Sequence, residues 1–310
     1  MIAAWARWVA FTERSVDARM LGLLRVLCCG AVVLDLLHVA GLGLADDLYL
    51  PYEHGGINAH PDAAAWVHER LGPRGGLWAY GAAVISLGLA ALGLFTRPAL
   101  LVGILAYAQI GHLYNPGDRG VDRILRTVLL ILVFSGAHRR FALGLRLRPA
   151  LRQDLVPAWP ADLVRWLMVM VYLSAGIAKL MDQPDWLGLP TLPVPYRIMT
   201  DPMAAHLDPV ALLPWRPLWL FMGWATIAVE LSSPLILSRR WSRWWSLAAL
   251  PMHLGIALSM DLGMFSYGMM SLHVLLLWPW LGPLMDRVPA LGARPRGPPS
   301  APATTPTAAG

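Results

Sequence analysis

The sequence predicts an all-α protein, a polytopic transmembrane helix bundle of about eight spans with both termini on the cytoplasmic side. Three observations predict it. The 310 residues are 57% hydrophobic and only 14% charged, where soluble globular domains carry nearer a quarter charged. The apolar residues come in runs of about 18 to 22, long enough to cross roughly 30 Å of hydrocarbon. The arginines then gather in alternate loops, as cytoplasmic loops require.

Taken in order, the first 15 residues hold Arg7, Glu13 and Arg14 among aromatics, which leaves no clean apolar stretch for a cleavable signal peptide. Residues 3–14 read instead as an amphipathic helix lying in the membrane interface. The predicted spans cover residues 20–40, 76–95, 98–114, 121–137, 162–181, 217–238, 244–261 and 264–282. Arg7, Arg14, Arg19 and Arg25 come before or enter the first, and Arg97 separates the second from the third. Arg139 to Arg152 follow the fourth, Arg239 to Arg243 the sixth and Arg287 to Arg296 the eighth. Asp46, Asp47, Asp62, Asp182, Asp185 and Asp201 occupy the opposite loops. One loop breaks the pattern. Arg119, Arg123 and Arg126 alternate with Asp118 and Asp122, which predicts a local ion-pair cluster.

Two outer loops are long. Residues 41–75 carry a short helical pattern from Asp62, read as its N-cap, to Leu71. Residues 182–216 combine prolines with aromatics, the composition of an ordered functional loop. The transmembrane domain is expected over residues 1–288, followed by a disordered Pro/Ala/Thr-rich tail over 289–310. Cys28 and Cys29 are neighbours inside an apolar run, which marks them as core residues. The net charge of +6 sits as arginine on loops and speaks for topology rather than nucleic-acid binding.

Ionisable groups at membrane depth are costly and mark functional sites by default. Here they are Asp35, His38, His112, Lys179, Glu230, His253 and His273, with Asp261 at a span end. Asp35 and His38, three apart, share a helix face. No His/Glu pair has metal-ligand spacing, so no metal is expected. No nucleophile elbow supports a serine hydrolase. Lys179 stands out because it is the only lysine beside 24 arginines. Arginine keeps its proton at any useful pH, whereas a desolvated lysine can act as a base. The plainer reading is a lysine snorkelling to the headgroups. Tyr172, Ala175 and Gly176 precede it by seven, four and three residues, on one side of the helix. The two small residues leave a notch for a flat ring or for close packing of a neighbouring helix.

The stretch VYLSAGIAKLMDQPDW, with Lys179, resembles the helix of the vitamin K-dependent gamma-glutamyl carboxylase family that carries its catalytic lysine. A second stretch, MHLGIALSMDLGMFSYGMM, resembles that family's histidine followed by GMFSY and a methionine pair. The likeness covers the family's membrane half, also called the HTTM domain, without the extramembrane half. It implies that Lys179 deprotonates reduced vitamin K or a related hydroquinone, and that oxygen then converts the quinol to an epoxide. The base so formed removes a γ-proton from glutamate of a secreted peptide, and carbon dioxide captures the carbanion. His253 matches the second motif's histidine, and Tyr267 lies in that motif. Asn115 falls where the carboxylase has an Asn-His pair, but the sequence reads YNPGD, and His112 one turn earlier is the substitute. The resemblance thus implies Lys179 and His253 as catalytic, and Tyr172, Gly176, His112, Asn115 and Tyr267 as a quinone pocket facing the extracytoplasmic side. Two other readings stay open: a non-carboxylating HTTM protein that matures or exports a secreted peptide, and a small-solute transporter.

Overall fold

The computed structural model describes residues 13–62, 65–181, 213–260 and 262–288, together with Trp5 and Trp186. The interfacial helix expected over 3–14, most of the 182–216 loop, Asp261 and the tail lie outside the described residues.

The fold is helical. A short strand β1 (Ser15–Asp17) leads into α1 (Ala18–Gly41), and the loop that follows holds α2 (Ala45–Tyr49) and α3 (Val67–Leu71). Then come α4 (Gly75–Leu92), α5 (Thr96–Leu113), α6 (Gly120–Val133), α7 (Gly144–Leu147) and β2 (Leu155–Pro157). The second half comprises α8 (Trp159–Met181), α9 (Arg216–Leu231), α10 (Ser242–Ser259), α11 (Phe265–Leu272) and α12 (Val274–Asp286). β1 and β2 pair antiparallel with Val16 opposite Val156.

Every predicted span has a helix at its place, but their lengths differ. By length and composition α1, α4 and α8 can each cross a membrane, and α11 with α12 adds a fourth if the pair, bent by 63°, is one span. The expected eighth span is therefore a broken helix. The sixth stops at Leu231 because Pro234 disfavours helical backbone just before it, and a 3-10 turn over Ser233–Leu237 follows. The fourth, α6, is 14 residues, or about 21 Å of helix. The helix expected from Asp62 to Leu71 is shorter than predicted. It begins at Val67 after Trp66, and Asp62 does not cap it: the Asp62 backbone N–H donates to His112 O at 2.9 Å.

The core runs along α1, whose Met20, Leu21, Leu24, Cys28, Cys29 and Val32 are buried. Both cysteines are free core residues, as expected, and the Cys28 Sγ lies 3.2 Å from Ser271 Oγ. Arg25 on the same helix is fully buried and donates to the carbonyls of Ala137 (3.1 Å), Ala91 (3.5 Å) and Phe141. Ala91 lies in the last turn of α4, the negative end of that helix, where a cation is favoured. Gly93 follows with a φ of +75°, the left-handed turn that closes α4 before α5. Gly93 also lies against Ala142: a Cβ there would sit 2.4 Å from the Ala142 Cα.

The predicted ion-pair cluster is present and wider than the loop suggested. Arg119 Nη2 donates to Asp35 Oδ2 at 2.6 Å and its Nε to Asp122 Oδ2 at 3.1 Å, while Asp118 accepts from Arg126 at 2.7 Å and Arg123 at 3.0 Å. Burial works against the Asp118 carboxylate, but the Arg126 and Arg123 guanidiniums outweigh it and hold its pKa below the usual range.

His138, on the loop after α6, is held neutral. Burial first, then the charges of Arg139, Arg97 and Arg25, lower its pKa to about 4, against about 6.5 for an unperturbed histidine. The unfolded chain takes that proton first, so stability from His138 is complete above pH ~6.5 and is lost as pH falls towards 4. Melting temperature should decline over that window in wild type, and His138→Gln should flatten the decline. An unchanged slope would remove His138 as its cause.

Candidate functional site

Lys179 lies in the last turn of α8 and donates from Nζ to Glu230 Oε1 on α9 at 2.7 Å. Both side chains are largely out of solvent, at 16% and 8% exposed. The Lys179 Nζ also lies 4.9 Å from the centroid of the Trp186 ring. Glu230 Oε2 is buried with no hydrogen-bond partner among the described residues. An acceptor left so costs about 1–3 kcal/mol or more. The contact joins the last turn of α8 to the last turn of α9.

Gly176 sets the spacing. A Cβ there would sit 3.0 Å from the Glu230 Cβ and 3.1 Å from Leu231 Cδ2. Of the two uses open to the notch, close packing of a neighbouring helix is the one observed: α9 fills it. Gly176→Leu should therefore force α8 and α9 apart and separate Lys179 from Glu230. Overpacking of this kind costs about 1–3 kcal/mol, and melting of the purified variant checks it. A melting temperature equal to wild type would count against the close approach.

Two turns below the amine on the same face, Tyr172 joins a buried aromatic and imidazole cluster. The Tyr172 hydroxyl lies 2.6 Å from His253 Nε2 and 3.3 Å from His273 Nε2. His273 Nδ1 in turn lies 2.7 Å from Ser246 Oγ. One hydroxyl has one proton, so Tyr172 donates to one imidazole and accepts from the other, which ties the two tautomers together. Trp245 stacks on His273 with ring centroids 5.7 Å apart. Its indole N–H donates to Val229 O at 2.9 Å, one residue before Glu230. The imidazole cluster and the Lys–Glu pair are thus tied together through α8, α9 and α10, with His273 added from the junction of α11 and α12. His253 Nδ1, like Glu230 Oε2, is buried without a partner among the described residues. The site presents two unsatisfied polar atoms and one amine.

A family model described as the HTTM domain matches residues 13–280. The chain belongs to the HTTM-domain family. No curated protein and no solved structure matches it. The match runs from before α1 into α12 and includes Lys179, Glu230, His253 and His273 of this HTTM protein.

The remaining predicted residues of the HTTM chain lie elsewhere. His112 ends α5 with its Nδ1 3.5 Å from Asp62 Oδ2. Asn115 occupies the next 3-10 turn, and its amide nitrogen, oriented to satisfy it, donates to Gly111 O at 3.0 Å and His112 O at 3.3 Å. These contacts join His112 to the loop after α1 and Asn115 to the last turn of α5, rather than to Lys179. Tyr267 is 59% exposed on the outside of α11. Asp35 and His38 line a second feature, a cavity of about 260 Å³ beside Arg119 and Tyr107. Glu230 and His273 were visible in the sequence as intramembrane ionisable groups. Their partnership with Lys179 and Tyr172 was not, and Ser246 and Trp245 gave no signal.

Proposed function

We propose that this HTTM protein is a multi-pass integral membrane enzyme of the vitamin K-dependent carboxylase type. Its chain crosses the membrane eight times with both termini cytoplasmic, and Lys179 lies toward the extracytoplasmic side. The observation that carries the reading is the Lys179–Glu230 pair with Glu230 Oε2 left buried and unpartnered. A hydroxyl donor such as that of a hydroquinone fits an orphaned carboxylate oxygen beside a basic amine. When bound, the reduced quinone supplies with oxygen the oxidation to an epoxide and the strong base that removes a γ-proton from a peptide glutamate, which carbon dioxide then captures.

The chain's own residues prepare that chemistry. Lys179 gives its proton to Glu230 Oε1 and becomes a neutral base. Gly176 sets the amine–carboxylate distance by bringing α9 close. Tyr172 and His253 form the dry floor, because burial keeps water from a base that bulk protons would quench. His112, Asn115 and Tyr267 complete the pocket in this reading, which for these three rests on the family resemblance. The test is to incubate the purified protein with reduced vitamin K and oxygen and to assay for epoxide, then for carbon dioxide fixed into a glutamate peptide. Absence of epoxide overturns the reading.

One alternative draws on the same pair. An ion pair between two helices can open to a charged solute, as in a transporter, which predicts flux into liposomes and retention of that flux when Lys179 is arginine.

A further inference from the structure

At the end of α8 opposite Lys179 lies another cavity, of about 650 Å³. It is bounded by the segment before α1, the first turns of α8, the 3-10 turn after α9 and the start of α10. Arg165 is separated from Lys179 by about 21 Å along the helix at 1.5 Å per residue, so this cavity is distinct from the site above and does not depend on the function proposed there.

Its charges do not balance. Among the described residues, Arg14, Arg165 and Arg239 line it against a single carboxylate, Asp162. Arg14 Nη2 donates to Asp162 Oδ2 at 2.7 Å, and Arg165 Nη1 to Asp162 Oδ1 at 3.3 Å. Both carboxylate oxygens are therefore engaged. Arg165 spends Nη2 on the Leu275 carbonyl at 3.1 Å, which fixes its guanidinium toward the cavity wall. Arg239 faces the same space, and the described lining holds no second acid for it. Three like charges around one carboxylate repel each other at a helix-bundle surface where water screens incompletely. An anion would relieve them. Guanidinium forks match the oxygens of phosphate in geometry as well as charge, and the hydroxyls of Ser238 and Ser242 stand in the same wall as further donors.

The rest of the wall is apolar. Trp166 and Leu237 line the cavity and are 52% and 40% exposed on the bundle's outer surface. A charged floor opening onto exposed apolar side chains is what a headgroup with attached acyl chains requires, and basic pockets between transmembrane helices bind such headgroups. We propose that this cavity binds a phosphate-type anion, supplied by an anionic phospholipid whose chains lie against Trp166 and Leu237.

The test uses the purified full chain in detergent, with phosphatidylglycerol, phosphatidylcholine and inorganic phosphate as probes, read by native mass spectrometry and by thermal melting. Phosphatidylglycerol should be retained and should raise the melting temperature, and phosphatidylcholine should do neither. Arg239→Gln, at an exposed position the fold does not need, should weaken phosphatidylglycerol binding roughly fivefold, the contribution of one basic residue at a membrane surface. Arg146→Gln, an exposed arginine of α7 outside the cavity, should leave it unchanged. Equal stabilisation by inorganic phosphate, lost in the same variant, keeps the anion site and overturns the lipid as its source. If phosphatidylglycerol and phosphate bind no better than phosphatidylcholine, or if both substitutions weaken binding alike, the site itself is overturned.

Discussion

Lys179→Arg should abolish epoxide formation while leaving the protein folded. Arginine keeps a positive charge facing Glu230 and can preserve the inter-helix bond, now 2.7 Å long, so melting should change little. It cannot become a neutral base, because its proton stays bound at any working pH. General-base catalysis is worth typically 10²–10⁴-fold, and a loss of that order is expected in initial rates of epoxide production. Lys179→Ala should lose the same activity and stability as well, since Glu230 would be left buried and unpaired. Glu230→Gln separates the two roles: it keeps a hydrogen-bond acceptor beside the amine but removes the carboxylate that takes its proton. A variant with arginine at 179 that turns over quinol at the wild-type rate would eliminate the base role of this residue.

Arg25→Leu should be the most destabilising single change in the fold. Arg25 is fully buried and no carboxylate is among its hydrogen-bond partners; it serves the carbonyls of Ala137, Ala91 and Phe141. Removing it strands those acceptors in an apolar setting, at about 1–3 kcal/mol each for groups left fully unsatisfied. A loss of about 3–5 kcal/mol follows, the range seen when a buried charged network is broken on one side. Arg25→Lys should recover only part, because a single ammonium cannot span three acceptors held by separate segments. Denaturation in detergent, followed by tryptophan fluorescence, gives the comparison. Equal stability of Arg25→Leu and wild type would mean that water satisfies those carbonyls.

What the sequence made legible follows from periodicity and composition. Apolar runs located the helices because burial in lipid or core needs unbroken hydrophobicity. The ion-pair cluster at Asp118 to Arg126 was legible because its members are neighbours in the chain. Helix ends were less so: Pro234 shortened α9, and the bend between α11 and α12 has no counterpart in the hydropathy. Long-range pairing was invisible. Lys179 and Glu230 are on separate helices, as are Tyr172, His253 and His273, and nothing in one stretch of sequence names its partner in another. Asp62 illustrates the same limit, since its local pattern suggested a cap and its actual partner is His112.

The small ribbon of β1 and β2 carries information about how the chain threads the bilayer. By pairing Ser15 with Pro157, it obliges α1 and α8 to set out from the same face. A chain that returns to its starting face has crossed an even number of times, and in the eight-span arrangement proposed above α1, α4, α5 and α6 make those crossings as two round trips. In that arrangement Arg119 obeys the same parity on the far face, where it meets Asp35 in the second half of α1 and the Leu262 carbonyl ahead of α11. Parity is discrete, so an inserted or skipped crossing could not be absorbed by small shifts. It would carry β1 and β2 to opposite faces and undo the ribbon outright.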